Sequence, residues 1–444
     1  MKLSHTYFFE PAVTGGDGMT LNSRTTLTVL LLIVFAALII GCGQSFRPTI
    51  IPVIKPGGDP SSLGQAVVLS TNPAGNGSNM HIDTSGDTNV GVVTVGPNPV
   101  FLTKGASRAL AINGDGTATL YIALLPTSTA INTVVLPAST TGQVAAGVGV
   151  NGNLYIANSG TNDVTVIPSV ATAANAAVPV GSQPVSIAGI PSGTGPGATK
   201  IYVANQGTNN VTVFSAIDNS FVKTIAVGSQ PIWAVMSTDT SAVYVVNQGD
   251  GTVSVIDTGI DSVITTIPVG ASPNFAFFDS RLKRVYVTNS GSSTLSVIKG
   301  DTINLGAGIV PTKIADVALS GAAISVTALS DGTRAYAALS GCPAGTNHTN
   351  LVGNLASCTG NRVSVVDVVA LRETKTITVG SGAVSVDAAN DASRVYSVNA
   401  NDRNVSIIRT ATDAEIQRMP APQRDFACTT SCALQTPFMV RVFP

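Results

Sequence analysis

The sequence predicts an all-β protein made of repeated four-stranded units, which follow an export signal and a flexible segment. Three observations predict this. Charged residues make up only 11% of the 444 residues, against about 25% in an ordinary globular protein. Glycine, valine, serine, threonine and asparagine are abundant. Short apolar runs alternate with tight-turn residues, which suits short strands and does not suit helices.

The clearest repeat spans residues 231–272 and reads as four strands. The first strand follows a Val-Gly-x-x-Pro turn, the second is Val-Tyr-Val-x-Asn, the third is Val-Ser-Val-Ile-Asp, and the fourth leads into the next Val-Gly. Residues 243–246 and 253–256 are apolar without alternation, which predicts strands covered on both faces. Four strands in a period of about 40–45 residues are typical of a β-propeller.

An asparagine ends the second strand of most units. Asparagine and glycine tolerate left-handed backbone and form local side-chain hydrogen bonds, so we expect a structural role in the turn to the third strand. Asp257 and Asp367 end third strands and are interpreted as turn residues too. The second-strand positions are Asn72, Asn113, Asn158, Asn205, Asn247, Asn289, then Leu339 in place of asparagine, then Asn399.

Three of these units carry a motif that can be assigned to a family. The motifs are Tyr202-Val-Ala-Asn205, Tyr244-Val-Val-Asn247 and Tyr286-Val-Thr-Asn289. They resemble the YVTN family of β-propeller repeats over roughly residues 65–420. The resemblance implies a propeller, seven-bladed in its usual form, in secreted or surface proteins of bacteria and archaea. It does not imply one activity, because function depends on sites added to a fold.

The number of blades is open between seven and eight, since eight second-strand positions can be counted. The first unit shows a second, third and fourth strand (VVLSTN, NMHIDT, GVVTVG) but no clear first strand. The run TPFMVRVF near residue 440 is a further strand without a unit. We therefore expect strands from both ends of residues 65–444 to share one blade and close the ring.

Residues 25–41, TTLTVLLLIVFAALIIG, indicate export. Their apolar core is shorter than the about 20 residues of a membrane-spanning helix, and Arg24 and Gly41 fit the flanks of a signal peptide. The sequence Ile39-Ile40-Gly41-Cys42 resembles the lipobox of bacterial lipoproteins, which implies cleavage before Cys42 and lipid attachment to it. Residues 1–41 are thus predicted to be the signal peptide, with Met19 as a possible true start. An uncleaved signal anchor is the alternative.

Residues 42–64 are predicted to be the lipidated cysteine and a flexible tether, because residues 43–64 contain four prolines and four glycines. We expect a cell-envelope protein anchored by lipid to a bacterial membrane, with the propeller on the non-cytoplasmic side. The net charge of −1 offers no basic surface for nucleic acid.

Four cysteines follow Cys42, and an even number in an exported protein favours disulfides. Three pairings are possible, of which the local one, Cys342 with Cys358 and Cys428 with Cys432, is favoured. The first pair would close an insertion between the second strand at residues 336–339 and the third at residues 363–367. We expect this insertion on the rim that carries the turns between blades. It is either a rigid recognition element or an insertion without a partner.

No residues with a catalytic or metal-binding pattern stand out, and no cofactor is predicted. The two histidines of the mature chain are His81, which aligns with a third strand and is expected to pack there, and His348 in the insertion. Trp233, on a first strand, should line the channel, either as core packing or as a platform for a ligand.

These features predict a non-catalytic binding module or protein-interaction scaffold. Its partners would be the membrane, through the lipid anchor, and an envelope protein or glycan. The alternative is a periplasmic propeller enzyme, since propellers similar to this one include lactone-hydrolysing and electron-transfer enzymes.

Overall fold

The computed structural model describes the chain from Gly64 onward, apart from several internal segments. Residues 1–41, Cys42 and the tether up to residue 63 lie outside the described residues, and so do Cys428 and Cys432. The described residues are 64–73, 75–104, 108–122, 130–135, 143–148, 153–168, 176–189, 195, 197–300, 303, 305–423 and 433–443.

The described chain forms eight four-stranded antiparallel sheets, which are the blades of a β-propeller. This confirms the all-β propeller and fixes the blade number at eight, not the seven usual for the family it resembles. Blade 1 contains β1 (Gln65–Thr71), β2 (Asn76–Asp83), β3 (Thr88–Pro97) and β32 (Thr436–Phe443). Blade 2 contains β4 (Pro99–Lys104), β5 (Arg108–Asn113), β6 (Thr117–Ile122) and β7 (Ala130–Val135). Blade 3 contains β8 (Gln143–Val148), β9 (Leu154–Asn158), β10 (Asp163–Ile167) and β11 (Ala176–Pro179).

The next five blades carry the strongest repeats. Blade 4 contains β12 (Pro184–Ala188), β13 (Lys200–Asn205), β14 (Asn210–Ser215) and β15 (Phe221–Ala226). Blade 5 contains β16 (Pro231–Met236), β17 (Ala242–Asn247), β18 (Thr252–Asp257) and β19 (Ser262–Pro268). Blade 6 contains β20 (Pro273–Asp279), β21 (Arg284–Asn289), β22 (Thr294–Lys299) and β23 (Thr312–Ala318). Blade 7 contains β24 (Ala323–Ala328), β25 (Arg334–Leu339), β26 (Arg362–Asp367) and β27 (Arg372–Thr378). Blade 8 contains β28 (Ala383–Ala388), β29 (Arg394–Asn399), β30 (Asn404–Arg409) and β31 (Ala414–Pro420).

Helix is almost absent from the described chain. It consists of α1 (Leu351–Asn354) and two 3₁₀ turns, Leu305–Ala307 and Leu355–Ser357. None of the described helices is long and apolar enough to cross a membrane.

The innermost strands form a closed ring around a central channel. Each inner strand contacts the next in the order β4, β8, β12, β16, β20, β24, β28 and β32, and β32 contacts β4 again. The sheet of blade 1 has the order β32-β1-β2-β3. The first unit therefore obtains its missing first strand from residues 436–443, as the sequence predicted.

The apolar core lies between neighbouring blades. Val243 and Val245 face blade 4, whereas Tyr244 and Val246 face blade 6, so β17 is apolar along its whole length. All four residues have no exposed surface. A blade covered on both faces has no solvent side for polar alternation, which explains the continuous apolar runs of the sequence.

The strand-ending asparagines brace the turn to the third strand. Each is buried, and its side chain makes hydrogen bonds across the turn. The left-handed backbone falls later in the turns, for example at Asn209 and Gly251, and not on these asparagines. The bonds join Asn113 to Thr117 and Thr119, Asn158 to Asp163 and Thr165, Asn205 to Asn210 and Thr212, Asn247 to Thr252 and Ser254, Asn289 to Thr294 and Ser296, and Asn399 to Asn404 and Ser406.

The two faces of the ring differ in their turns. The junction face carries the turns between blades and the turns from second to third strands, such as residues 227–230 and 248–251. These two turns are joined, since the Gln248 N–H donates to the Gln230 carbonyl at 2.9 Å. The open face carries the turns from first to second and from third to fourth strands, such as residues 237–241 and 258–261.

Buried or half-buried ion pairs on the open-face side join three pairs of neighbouring blades. In each of these pairs of blades, the second strand of one blade carries a basic residue and, two positions later, a tyrosine. Both side chains contact the same aspartate of the next blade. That aspartate has a left-handed φ in every case, so its carboxylate turns back toward the neighbouring blade. The sets are Lys200 and Tyr202 with Asp261, Arg334 and Tyr336 with Asp413, and Arg394 and Tyr396 with Asp87.

We predict that Arg394→Met destabilises the protein strongly. Arg394 Nε lies 2.8 Å from Asp87 Oδ2, and the two side chains are only 4% and 10% exposed. Removing one partner of a buried pair leaves an uncompensated charge and costs about 3–5 kcal/mol. Arg418→Met is the control, because Arg418 is 40% exposed and such pairs contribute about 0–1 kcal/mol. Equal denaturant midpoints for the two variants would contradict a role of Asp87 in joining blade 8 to blade 1.

Candidate functional site

The insertion in blade 7 covers one end of the channel. Residues 343–357, called the cap below, connect β25 to β26 and contain α1. A disulfide between Cys342 and Cys358 closes their base, in agreement with the first of the two favoured local pairs.

The cap reaches across the channel to three other blades. His348 Nε2 donates to the Val185 carbonyl of blade 4 at 2.8 Å. Asn347 Nδ2 donates to Gln248 Oε1 of blade 5 at 3.0 Å, and Asn274 Nδ2 of blade 6 donates to the Thr346 carbonyl at 3.1 Å. These bonds hold the cap over the junction-face end of the channel.

The insertion lies on the rim, where the sequence placed it, and it folds inward over the channel. A free recognition loop would project from the rim, whereas Thr346, Asn347 and Leu351 are buried against the ring. Only outward residues such as Pro343 and Gly353 remain exposed for a partner.

His348 is the part of the cap that enters the channel. Its ring lies 4.7 Å from the centroid of Trp233 and 6.1 Å from that of Phe101. Its Nδ1 has no hydrogen-bond partner among the described residues. Burial lowers the pKa of His348 to about 4, so the ring is neutral at pH 7 and serves packing and one hydrogen bond.

His81 has a similar state on β2. Its Nδ1 lies 2.8 Å from Gln65 Oε1, and burial lowers its pKa to about 4. Both described histidines are thus held in the folded ring as neutral groups.

Below the cap, side chains at alternate positions of the innermost strands line the channel. A cavity of about 320 Å³ opens toward the open face, at the lower end of the range for small-molecule pockets. Only about 30 Å³ of free space separates the cap from the channel wall. The channel is therefore closed at the junction face and accessible from the open face.

One side of the cavity is aromatic. Trp233 of β16 and Phe275 of β20 have ring centroids 4.7 Å apart, and Phe277 and Phe278 extend the surface toward the open face. The Trp233 Nε1–H donates to the Ala276 carbonyl at 2.9 Å, which fixes the indole. Trp233 is half-buried and lines the cavity, in agreement with its expected place on the channel wall.

The other side of the cavity carries Asp387 of β28 and Arg441 of β32. Asp387 Oδ2 accepts from the Val442 N–H at 2.8 Å, and Oδ1 accepts from the Ala388 N–H at 3.0 Å and from Thr327 Oγ1 at 3.3 Å. Its carboxylate therefore receives three donors from the protein.

Arg441 is bound much less completely. Within the described chain, its guanidinium donates one hydrogen bond, from Nη1 to the Val440 carbonyl at 2.9 Å, out of five N–H groups. Burial lowers its pKa, and the Asp387 carboxylate partly offsets that effect. Arginine nevertheless stays protonated at neutral pH, so a cation with unused donors faces an aromatic wall.

A second cavity of about 200 Å³ adjoins the first at the open face. Phe277, Phe278 and Asp387 line both cavities. In the part of the chain that the structure describes, no three His, Cys, Asp or Glu side chains are grouped closely enough to hold a metal ion.

Trp233 is the one residue of this cavity that the sequence singled out; Phe275, Phe277, Asp387 and Arg441 were not predicted. The feature of the sequence that could have revealed them is the register of the innermost strands. Trp233, Phe275 and Met439 occupy one level of the ring, while Val235, Phe277, Asp387 and Arg441 occupy the level nearer the open face. Aligning all first strands on Trp233 would have brought these side chains together. Cys42, Cys428 and Cys432 cannot be placed, since they lie outside the described residues.

The fold and this channel define an eight-bladed β-propeller with a capped central cavity. No family model matches the chain, and no curated protein matches it. Solved structures are similar to it in fold. Dihydro-heme d1 dehydrogenase NirN, in complex with DHE, is 13% identical with a TM-score of 0.62, over 85% of this chain and 75% of that one.

Two further solved structures share the architecture. AztD from Citrobacter koseri, in its apo form, is 10% identical with a TM-score of 0.56, over 86% of this chain and 99% of that one. Hydrazine synthase from Kuenenia stuttgartiensis is 18% identical with a TM-score of 0.52, over 71% of this chain and 97% of that one. At these identities the likeness extends to the fold alone.

Proposed function

We propose that this chain is a lipid-anchored envelope protein whose propeller binds a ligand in its channel without chemical turnover. The observation that carries the proposal is the channel itself, closed by the stapled cap at one face and open through a cavity of about 320 Å³ at the other. A pocket with an aromatic wall and a few polar groups is the usual form of a ligand site.

The state of the polar groups supports binding over catalysis. A general base has to be in reach of a substrate proton with a pKa near the working pH. His348 and His81 instead have pKa values lowered to about 4 by burial. Asp387 is occupied by three protein donors. These groups are committed to structure, and Arg441 is suited to hold a ligand.

The anchor follows from the lipobox-like residues 39–42 and the tether that ends at Gly64. Gly64 enters the propeller on the open face, since its carbonyl accepts from the Thr84 N–H in the turn between β2 and β3. The YVTN resemblance agrees with an extracytoplasmic place. The exposed outer side of the cap remains a candidate contact for an envelope protein or glycan.

Labelling of cells with radioactive palmitate tests the anchor. We expect label on the wild-type protein, a mature chain that begins at Cys42, and recovery with the membranes. Cys42→Ser should remove label and processing together, whereas the control Cys342→Ser should keep both. A labelled and processed Cys42→Ser protein would disprove the anchor, and hydrolysis of a lactone panel by the purified wild type would disprove the non-catalytic role.

A further inference from the structure

We propose that the ligand of the channel is a small amphipathic anion, held with its carboxylate or similar group on Arg441 and its apolar body on the aromatic wall. This inference rests on the proposed function, since it names the chemical class that the channel binds.

The charge of the ligand follows from the number of hydrogen bonds that Asp387 and Arg441 each make with the protein. Asp387 already accepts three hydrogen bonds from the protein. Arg441 donates one within the described chain, to the neighbouring backbone carbonyl. Arg441 is half-buried and lines the cavity, so its other donors are open to a ligand, and a guanidinium is shaped to bind a carboxylate through two parallel hydrogen bonds. The site therefore lacks an acceptor group, which an anion supplies.

The body of the ligand follows from the opposite wall. Trp233, Phe275 and Phe277 are each half-buried and face the cavity, although the ring around them is closely packed. The Trp233–Phe275 pair, whose ring planes are tilted by 40°, offers an apolar surface against which an aromatic or aliphatic chain can pack. The anion must also be short, because the cap ends the cavity at His348.

The ligand enters from the open face. Thr238, in the turn after β16, lines the cavity and is exposed, whereas the junction-face end is blocked by Asn347, His348 and Leu351 of the cap. The anionic group would therefore be held at Arg441, on the level nearer the mouth, while the apolar body extends inward over Trp233 and Phe275.

The chain provides a direct probe of binding, because Trp233 is its only tryptophan. The mature lipid-anchored protein would be reconstituted in nanodiscs and titrated with three molecules of one body and different charge. These probes are 6-phenylhexanoate, 6-phenylhexanamide and 6-phenylhexylammonium. The fluorescence emission of Trp233 measures the binding of each probe. Empty nanodiscs and a Trp233→Phe variant give the background.

We expect the carboxylate to bind about tenfold more tightly than the amide, because a hydrogen bond between two charged groups is stronger than one to a neutral amide. The ammonium should bind most weakly. Arg441→Gln should reduce the preference for the carboxylate to about onefold, while the exposed control Arg372→Gln keeps it. If Arg441→Gln does not fold, the order of the affinities of the three probes for the wild-type protein still tests the anionic class of the ligand.

The outcomes separate this inference from the proposed function. Equal binding of the three probes, or tightest binding of the ammonium, would overturn the anionic class and leave a ligand-binding channel. Failure of all three probes to change the Trp233 emission would overturn the channel as a binding site, and with it both proposals.

Discussion

Deletion of residues 433–444 is expected to abolish cooperative folding of the propeller. β32 forms the inner strand of blade 1 and pairs with β1 from Gln65–Phe443 to Thr71–Thr436. Without it, β1 loses its inner partner, and β28 and β4 each lose a neighbour in the ring. The ring of inner strands would lack one member, and β1 would present an unpaired strand edge, which is prone to aggregation.

The size of the effect follows from burial. Phe438, Met439, Val440, Val442 and Phe443 are each at most 5% exposed. Each contributes about 1.5–3 kcal/mol by burial, so their combined loss is on the order of 10 kcal/mol. That is comparable to the whole stability of a typical domain, about 5–15 kcal/mol.

Calorimetry of the deleted protein measures the loss, and a peptide controls for it. A synthetic peptide of residues 433–444, added to the deleted protein, should restore a cooperative transition that rises with peptide concentration. A scrambled peptide of the same composition should not. A deleted protein that unfolds in one transition within a few degrees of the wild type would show that ring closure by β32 does not hold the fold together.

The architecture could be predicted from the sequence because each blade is built from local pairs. The contacts of Tyr244 with Val255, and of Asn247 with Thr252, lie within one repeat, so a short pattern specifies them. Even the closing strand was visible, since the first unit lacked a strand and residues 436–443 had no unit. The blade number, which the sequence left open between seven and eight, is eight because β32 completes blade 1.

The site could not be predicted in the same way, because its contacts join residues far apart in the chain. His348 bonds to Val185 across 163 positions, and Arg394 reaches Asp87 across 307. Leu339 lies at the boundary between the local contacts of a blade and the long-range contacts of the cap. With the cap in place of a tight turn, there is no turn for an asparagine to brace, and the position packs as part of the apolar core.

Removal of the cap is expected to open the channel at both faces and leave the ring folded. The Cα atoms of Cys342 and Cys358 are 4.0 Å apart, so an Asn-Gly turn can replace residues 343–357 with both cysteines changed to serine. The pairing of Leu339 with Arg362 beside this turn belongs to the sheet of blade 7 and does not depend on the cap. We therefore expect one cooperative transition at a lower midpoint.

The fluorescence of Trp233 measures whether the channel has opened. In the wild type its ring packs against His348 at 4.7 Å and Phe275 at 4.7 Å. Without the cap, water replaces His348, so the emission maximum should move to longer wavelength and quenching by acrylamide should increase severalfold. No other tryptophan contributes to the signal.

The variant with Cys342→Ser and Cys358→Ser, which keeps residues 343–357, separates the cap from its disulfide. It should lose about 3 kcal/mol of stability, the chain-entropy value for a loop of this length. Its Trp233 emission should nevertheless stay close to that of the wild type, because the bonds of Asn347 and His348 to blades 5 and 4 remain. If the protein without the cap keeps both the emission maximum and the acrylamide quenching of the wild type, the cap does not close the channel. If the serine variant already shows the full shift, the disulfide alone holds the cap in place, and the hydrogen bonds to the ring are secondary.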